Sequence, residues 1–164
     1  MLRLYLDQNY LSGIVKRKPA FAELEPVLRA AVTAGVLVAP ESDVHRLESA
    51  ARPDLGLLAL LRELSGGVSL PDELGAEGRA IVGRLERAIA AELPRRRARP
   101  GDAADLRALA LALPRCELVT TDAFMADVVR RTRLDLRHDS ELFTGRRADV
   151  ARLRARVEEL LPAS

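Results

Sequence analysis

Cysteine, tryptophan and lysine are almost missing from this chain. Its 164 residues include one Cys, no Trp, two Tyr and three Phe. The single thiol, Cys116, excludes an internal disulfide and any zinc site built on paired cysteines. It fits a reducing compartment, and a cytoplasmic location is expected. With so few aromatics the core must be built from Leu, Ala and Val. No apolar run approaches the roughly 18 residues of a membrane-crossing helix, so no membrane contact is expected. The first residues lead straight into a strand-like run that Asp7 interrupts, so no leader peptide is expected either. Lys16 and Lys18 are the two lysines, leaving 24 of the 26 basic residues as Arg. A phosphoryl-receiver domain, which needs a Lys after a late strand, is therefore excluded. No G-x-G-x-x-G or P-loop pattern occurs, and no Ser-His pair stands in a nucleophile elbow. A strand-end aspartyl phosphatase would carry Asp two residues after Asp7, where this chain has Asn9.

What remains is the composition of one globular domain spanning 1–164. It is 48% hydrophobic and 30% charged, long enough to bury a sizeable core. The net charge is +2, with a pI of about 9.1. The arginines cluster at 95–99 (RRRAR), at Arg130, Arg131 and Arg133, and at Arg146 and Arg147. Guanidinium forks onto phosphate better than any other side chain, so these clusters hint at nucleic acid. A solvated surface explains each cluster equally well.

Periodicity places the elements. Residues 2–6 (LRLYL) read as a strand, 9–17 and 20–34 as helices, and 36–39 (VLVA) as a strand buried on both faces. Ser42 caps a helix running to about Arg52. Helices are predicted over 54–65, 72–93, 101–113 and 122–132, strands over 117–121 and 134–136, and a C-terminal helix over about 146–161. Strands alternating with helices predict the α/β class, with a parallel sheet covered on both faces.

In such a sheet, active groups gather beyond the carboxyl ends of the strands. Asp7 lies there after LRLYL, and Asp122 lies there after ELVTT. Glu48 sits two turns into the helix that follows the second strand. Asp102 and Asp105 share one face of the helix that opens at PGDAAD. Each acid has a structural explanation as a cap or a helix-dipole partner. Together they outnumber the Lys and Arg of the same motifs, and uncompensated carboxylates resist burial. A hard divalent cation, Mg2+ or Mn2+, is the natural remedy.

The segments LYLDQN, PESDVHRLESA and GDAADLRALALALPRCELVTTDAF resemble, in order and spacing, the PIN-domain ribonucleases. Asp7 to Glu48 spans 41 residues and Asp105 to Asp122 spans 17. Thr120, two before Asp122, matches the family's small hydroxyl residue. Gln8 departs from it, since the family commonly has Thr or Ser directly after the first Asp. The resemblance covers about residues 2 to 137. It implies a three-layer α/β/α sandwich around a parallel sheet of four to five strands, and metal-dependent cleavage of single-stranded RNA. It further implies Asp7, Asp105 and Asp122 as ligands of one or two Mg2+ or Mn2+ ions, with Glu48 as a further ligand or acting through water. Asp102 is a second ligand on its helix or that helix's cap. Asn9 and Thr120 would hydrogen-bond the liganding carboxylates. His45 reads as a structural histidine. Arg95, Arg96, Arg97 and Arg99 are expected to hold the RNA backbone. Through the family's toxin members, an antitoxin or other protein partner and a homodimer are also implied. A non-catalytic RNA-binding or protein-interaction module on the same fold is the alternative, and the intact set of acids argues against it. Phosphate contacts carry no sugar identity, so the choice of RNA over DNA rests on the resemblance.

Overall fold

A computed structural model describes residues 1–92 and 95–163. Its elements run β1 (Leu2–Tyr5), α1 (Gln8–Val15), α2 (Pro19–Thr33), β2 (Leu37–Val38), α3 (Asp43–Ala50), a 3-10 turn (Pro53–Leu55) and α4 (Leu57–Ser65). They continue with α5 (Gly75–Glu92), α6 (Asp102–Ala112), β3 (Leu118–Thr120), α7 (Ala123–Thr132), α8 (Leu134–His138), β4 (Glu141–Phe143) and α9 (Arg147–Glu158). The predicted end of the long helix at 93, its stop at Pro94 and the last residue, Ser164, lie outside the described residues. Among the described residues no helix is long and apolar enough to cross a membrane.

The strands form one sheet in the order β2-β1-β3-β4, and every pairing is parallel. Leu2 faces Leu37, Leu4 faces Leu118, and Thr120 faces Phe143. The two-residue period of a strand sends neighbours to opposite faces. Leu4, Leu6, Leu118 and Phe143 therefore enter one apolar cluster with α1, α2, α4 and α9. Tyr5, Val119 and Leu142 enter another with α5, α6 and α7. The result is an α/β fold whose sheet lies between two cores, compatible with a three-layer sandwich.

One predicted strand is a helix. Residues 134–136 belong to α8, and the fourth strand is Glu141–Phe143. The L-D-L triplet alternates like a strand, but Arg133 and Asp139 both adopt left-handed φ, 58° and 53°. Those two residues bracket a single short helical segment, with Leu134 buried and Leu136 66% exposed. A parallel partner for β3 must start at β3's amino end, and α8 carries the chain there. Ser140 Oγ then donates to the Leu113 and Cys116 carbonyls, each at 3.0 Å. The Glu141 N–H donates to the Glu117 carbonyl at 2.7 Å and starts β4.

The first core depends on a missing side chain. Tyr10 and Phe21 meet edge to face, with ring centroids 5.1 Å apart. A Cβ on Gly13 would sit 2.6–2.8 Å from the Phe21 ring, closer than carbon atoms tolerate. Gly13 thus costs α1 some helix propensity but lets α2 approach. We predict that Gly13→Ala lowers stability by about 1–2 kcal/mol in urea unfolding, overpacking outweighing the propensity gain. The same change should cost less in a Phe21→Leu background. Equal costs in both backgrounds would disprove the proposed contact.

Candidate active site

The carboxyl ends of β1 and β3 lie side by side at the centre of the sheet. The chain leaves β1 toward β2 on one side, and β3 lies on the other, so this is the switch point where an open parallel sheet forms its crevice. Asp7 follows β1 and Asp122 follows β3. Each is the N-cap of the next helix. Asp7 Oδ1 accepts the Tyr10 N–H at 3.1 Å, and Asp122 Oδ1 accepts the Met125 N–H at 2.7 Å. Asp and Asn are strong caps, so both positions have a local reason to be acidic. Neither Oδ2 atom takes a hydrogen bond among the described residues, and neither is sealed from solvent. Each aspartate thus spends one oxygen on its helix and keeps the other unbonded.

Thr120, fully buried at the end of β3, joins the two strands. Its Oγ1 accepts the Asp7 N–H at 2.7 Å and donates to Asp7 Oδ1 at 3.0 Å. A hydroxyl thus reaches Asp7 from β3, although Gln8 supplies none.

Glu48 comes from α3, whose start is a capping box. Ser42 Oγ accepts the His45 N–H at 3.4 Å, and the Ser42 N–H donates to His45 Nδ1 at 3.0 Å. A histidine here fills the place that Glu or Gln usually takes. Asp105 comes from the first turn of α6. The two helices are tied by Arg107, whose guanidinium reaches Asp43 at 2.6 and 2.9 Å and also the Asp72 carbonyl. Glu48 and Asp105 are half-buried and form no ion pair among the described residues.

Asp7, Glu48 and Asp105 feel their acidic neighbours. Burial raises Asp7 to about 6, and the charge of Asp122 adds to the effect. Burial and then Asp122, Glu48, Asp7 and Asp102 push Asp105 up to about 7. Burial and Asp7 raise Glu48. Asp7, Glu48, Asp105 and Asp122 therefore lie near one another at the carboxyl edge of the sheet. They do not form a ready-made cage, because among the described residues no three His, Cys, Asp or Glu side chains are grouped to hold an ion.

Other expected members stand elsewhere. Asp102 does not join the acids, because Arg96 grips both its oxygens at 2.8 and 3.1 Å. Asp102 also accepts the Arg99 N–H at 2.8 Å, closing the turn before α6, and these contacts hold its carboxyl below the usual carboxylate range. Arg96 lies over the Phe124 ring at 4.0 Å, so its guanidinium is committed to protein on two sides. Arg95, Arg97 and Arg99 are exposed on the same loop. Asn9 is exposed in the first turn of α1 and makes no side-chain hydrogen bond among the described residues.

Near this edge Asp149 escaped the sequence reading, and His45, read there as a structural histidine, has a more particular place. Asp149 accepts both the N–H and the hydroxyl of Thr144, at 2.7 and 2.8 Å, just past β4. The missed strand hid it. His45 is 2% exposed and joins α3 to the end of β1, with Nε2 at 2.6 Å from the Leu6 carbonyl. Its signal was faint: Ser42 followed three residues later by a side chain able to return the capping bond.

Family models, curated proteins and solved structures offer no match to this chain.

The raised acids set a pH dependence. A carboxyl whose folded pKa lies above its unfolded value of about 4 binds protons more tightly when folded. The contribution of Asp7 and Asp105 to stability is then largest below about pH 4, falls as pH rises through the folded values of about 6 and 7, and levels off above them. We predict this decline in thermal melts of the metal-free protein between pH 4 and 8, and a shallower decline for Asp105→Asn. Identical slopes would mean that Asp105 is not strained by its neighbours.

Proposed function

We propose that this chain is a Mg2+- or Mn2+-dependent endoribonuclease of the PIN type, hydrolysing phosphodiester bonds in single-stranded RNA. One observation carries the reading: Asp7, Glu48, Asp105 and Asp122 gather at one sheet edge with raised proton affinity at three of them. The donor set suits the group. It is all oxygen, it is anionic, and none of the four forms an ion pair among the described residues, which fits a hard divalent cation.

Asp7 and Asp122 would contribute their free Oδ2 atoms, and Glu48 and Asp105 their unbonded carboxylates. The cation would polarise a phosphoryl oxygen and acidify a bound water. The caps and Thr120 keep the two strand-end carboxylates from swinging away. Arg95, Arg97 and Arg99, exposed on the loop before α6, would hold backbone phosphates, as contacts without base preference. Arg96 braces that loop through Asp102 and does not itself reach the substrate in this reading.

The purified protein is expected to cut single-stranded RNA in Mg2+ or Mn2+ and to stop in EDTA. Asp7→Asn and Asp122→Asn should lose more than the roughly 10–100-fold typical of groups that merely support a ligand. Both should stay folded, since Asn caps a helix as well as Asp. An Asp7→Asn protein as active as the parent would sink the assignment and leave a non-catalytic module. Equal cutting of DNA of the same sequence would widen the substrate class.

A further inference from the structure

The peptide unit between Leu6 and Asp7 is gripped from both sides. Its carbonyl faces His45 Nε2 at 2.6 Å, and its N–H donates to Thr120 Oγ1 at 2.7 Å. A peptide is planar, so bonds at its two ends fix the orientation of the whole plane. That plane sets the direction from which the Asp7 side chain leaves the backbone. The hydrogen-bond pattern assigns the tautomer of His45. The Ser42 N–H points at Nδ1 from 3.0 Å, so Nδ1 accepts, and Nε2 carries the proton that Leu6 receives. The ring is sealed from solvent and lies 4.8 Å from the Tyr5 ring, which leaves it little freedom to turn.

We infer that His45 is the positioning residue of the crevice: its Nε2–H holds the Leu6 carbonyl so that Asp7 faces Glu48, which lies one turn further along the same helix. One side chain thereby ties the first strand's carboxylate to the helix that brings the second acid. The inference rests on the metal-binding reading for its purpose, but the alignment of Asp7 is measurable without metal.

Two substitutions separate the two ring nitrogens. His45→Asn puts an amide oxygen where Nδ1 stands, keeping the bond from Ser42 and losing the one to Leu6. His45→Gln puts an amide N–H where Nε2 stands, keeping the bond to Leu6. In the metal-free protein, His45→Asn should shift the Asp7 amide and carboxyl-carbon resonances and speed exchange of the Asp7 amide. His45→Gln should restore both. In Mn2+ titrations followed by electron paramagnetic resonance, His45→Asn should lose about tenfold or more in affinity, with recovery in His45→Gln. Unmoved Asp7 signals in a folded His45→Asn protein would overturn the inference and leave His45 as the cap of α3 only. Should His45→Asn not fold, His45→Gln decides alone, since displaced Asp7 signals there would overturn the inference and unchanged ones support it. A parent protein that takes up no Mn2+ would defeat the metal reading, while the Asp7 resonances still judge the alignment.

Discussion

Carboxylates taken out of water beside one another, at one edge of a parallel sheet, are the constraint that the centre of this molecule has to meet. Asp7 and Asp122 follow β1 and β3, Glu48 and Asp105 arrive on α3 and α6, and Asp7, Glu48 and Asp122 each raise the energy of ionising a neighbour. No single contact resists that push. The caps at Asp7 and Asp122 each retain one carboxylate oxygen. Thr120 holds Asp7 from the next strand. Arg107 ties α6 to α3 by way of Asp43, and Arg96 takes Asp102 out of the crowd. The charge of that fifth acid is thus offset by the Arg96 guanidinium.

This arrangement also explains why the two strand-end aspartates serve two purposes without conflict. A carboxylate has two oxygens, and a helix N-terminus wants only one of them. Placing Asp at the junction of strand and helix stabilises the helix start and leaves an oxygen pointing beyond the sheet. The framework is buried at its centre, where β1 and β3 pair, and exposed at the loop bearing Arg95, Arg97 and Arg99.

Much of the architecture is legible in the sequence because it follows from local rules. The run LRLYL, the cap at Ser42 and the strand before Asp122 all carry their own period or stop signal, and they place Asp7, Glu48 and Asp122 correctly relative to the sheet. The segment 134–136 misleads because a three-residue alternation is too short to separate a strand from a turn of helix, and the decisive left-handed residues, Arg133 and Asp139, are not glycines. Asp102 and Asp105 look equivalent as a one-turn pair. What separates them is Arg96, six residues before Asp102, whose side chain folds forward onto it. Asn9 has the right neighbour in sequence but points to solvent. His45 reads as an ordinary buried histidine until β1 and α3 are seen to meet at the Leu6 carbonyl, a contact across 39 residues that no local pattern encodes.

The pairing of β1 with β3 has a consequence for the chain while it is being made. Leu4 and Tyr5 find their partners at Leu118 and Val119, more than a hundred residues later. Until that stretch has emerged, β1 has only β2 beside it, and its other edge is a row of bare backbone donors and acceptors flanked by apolar side chains. Such an edge is a template for a second nascent chain. The same delay keeps Thr120 from reaching Asp7, so the crevice is assembled only once its last strand-end aspartate has been added.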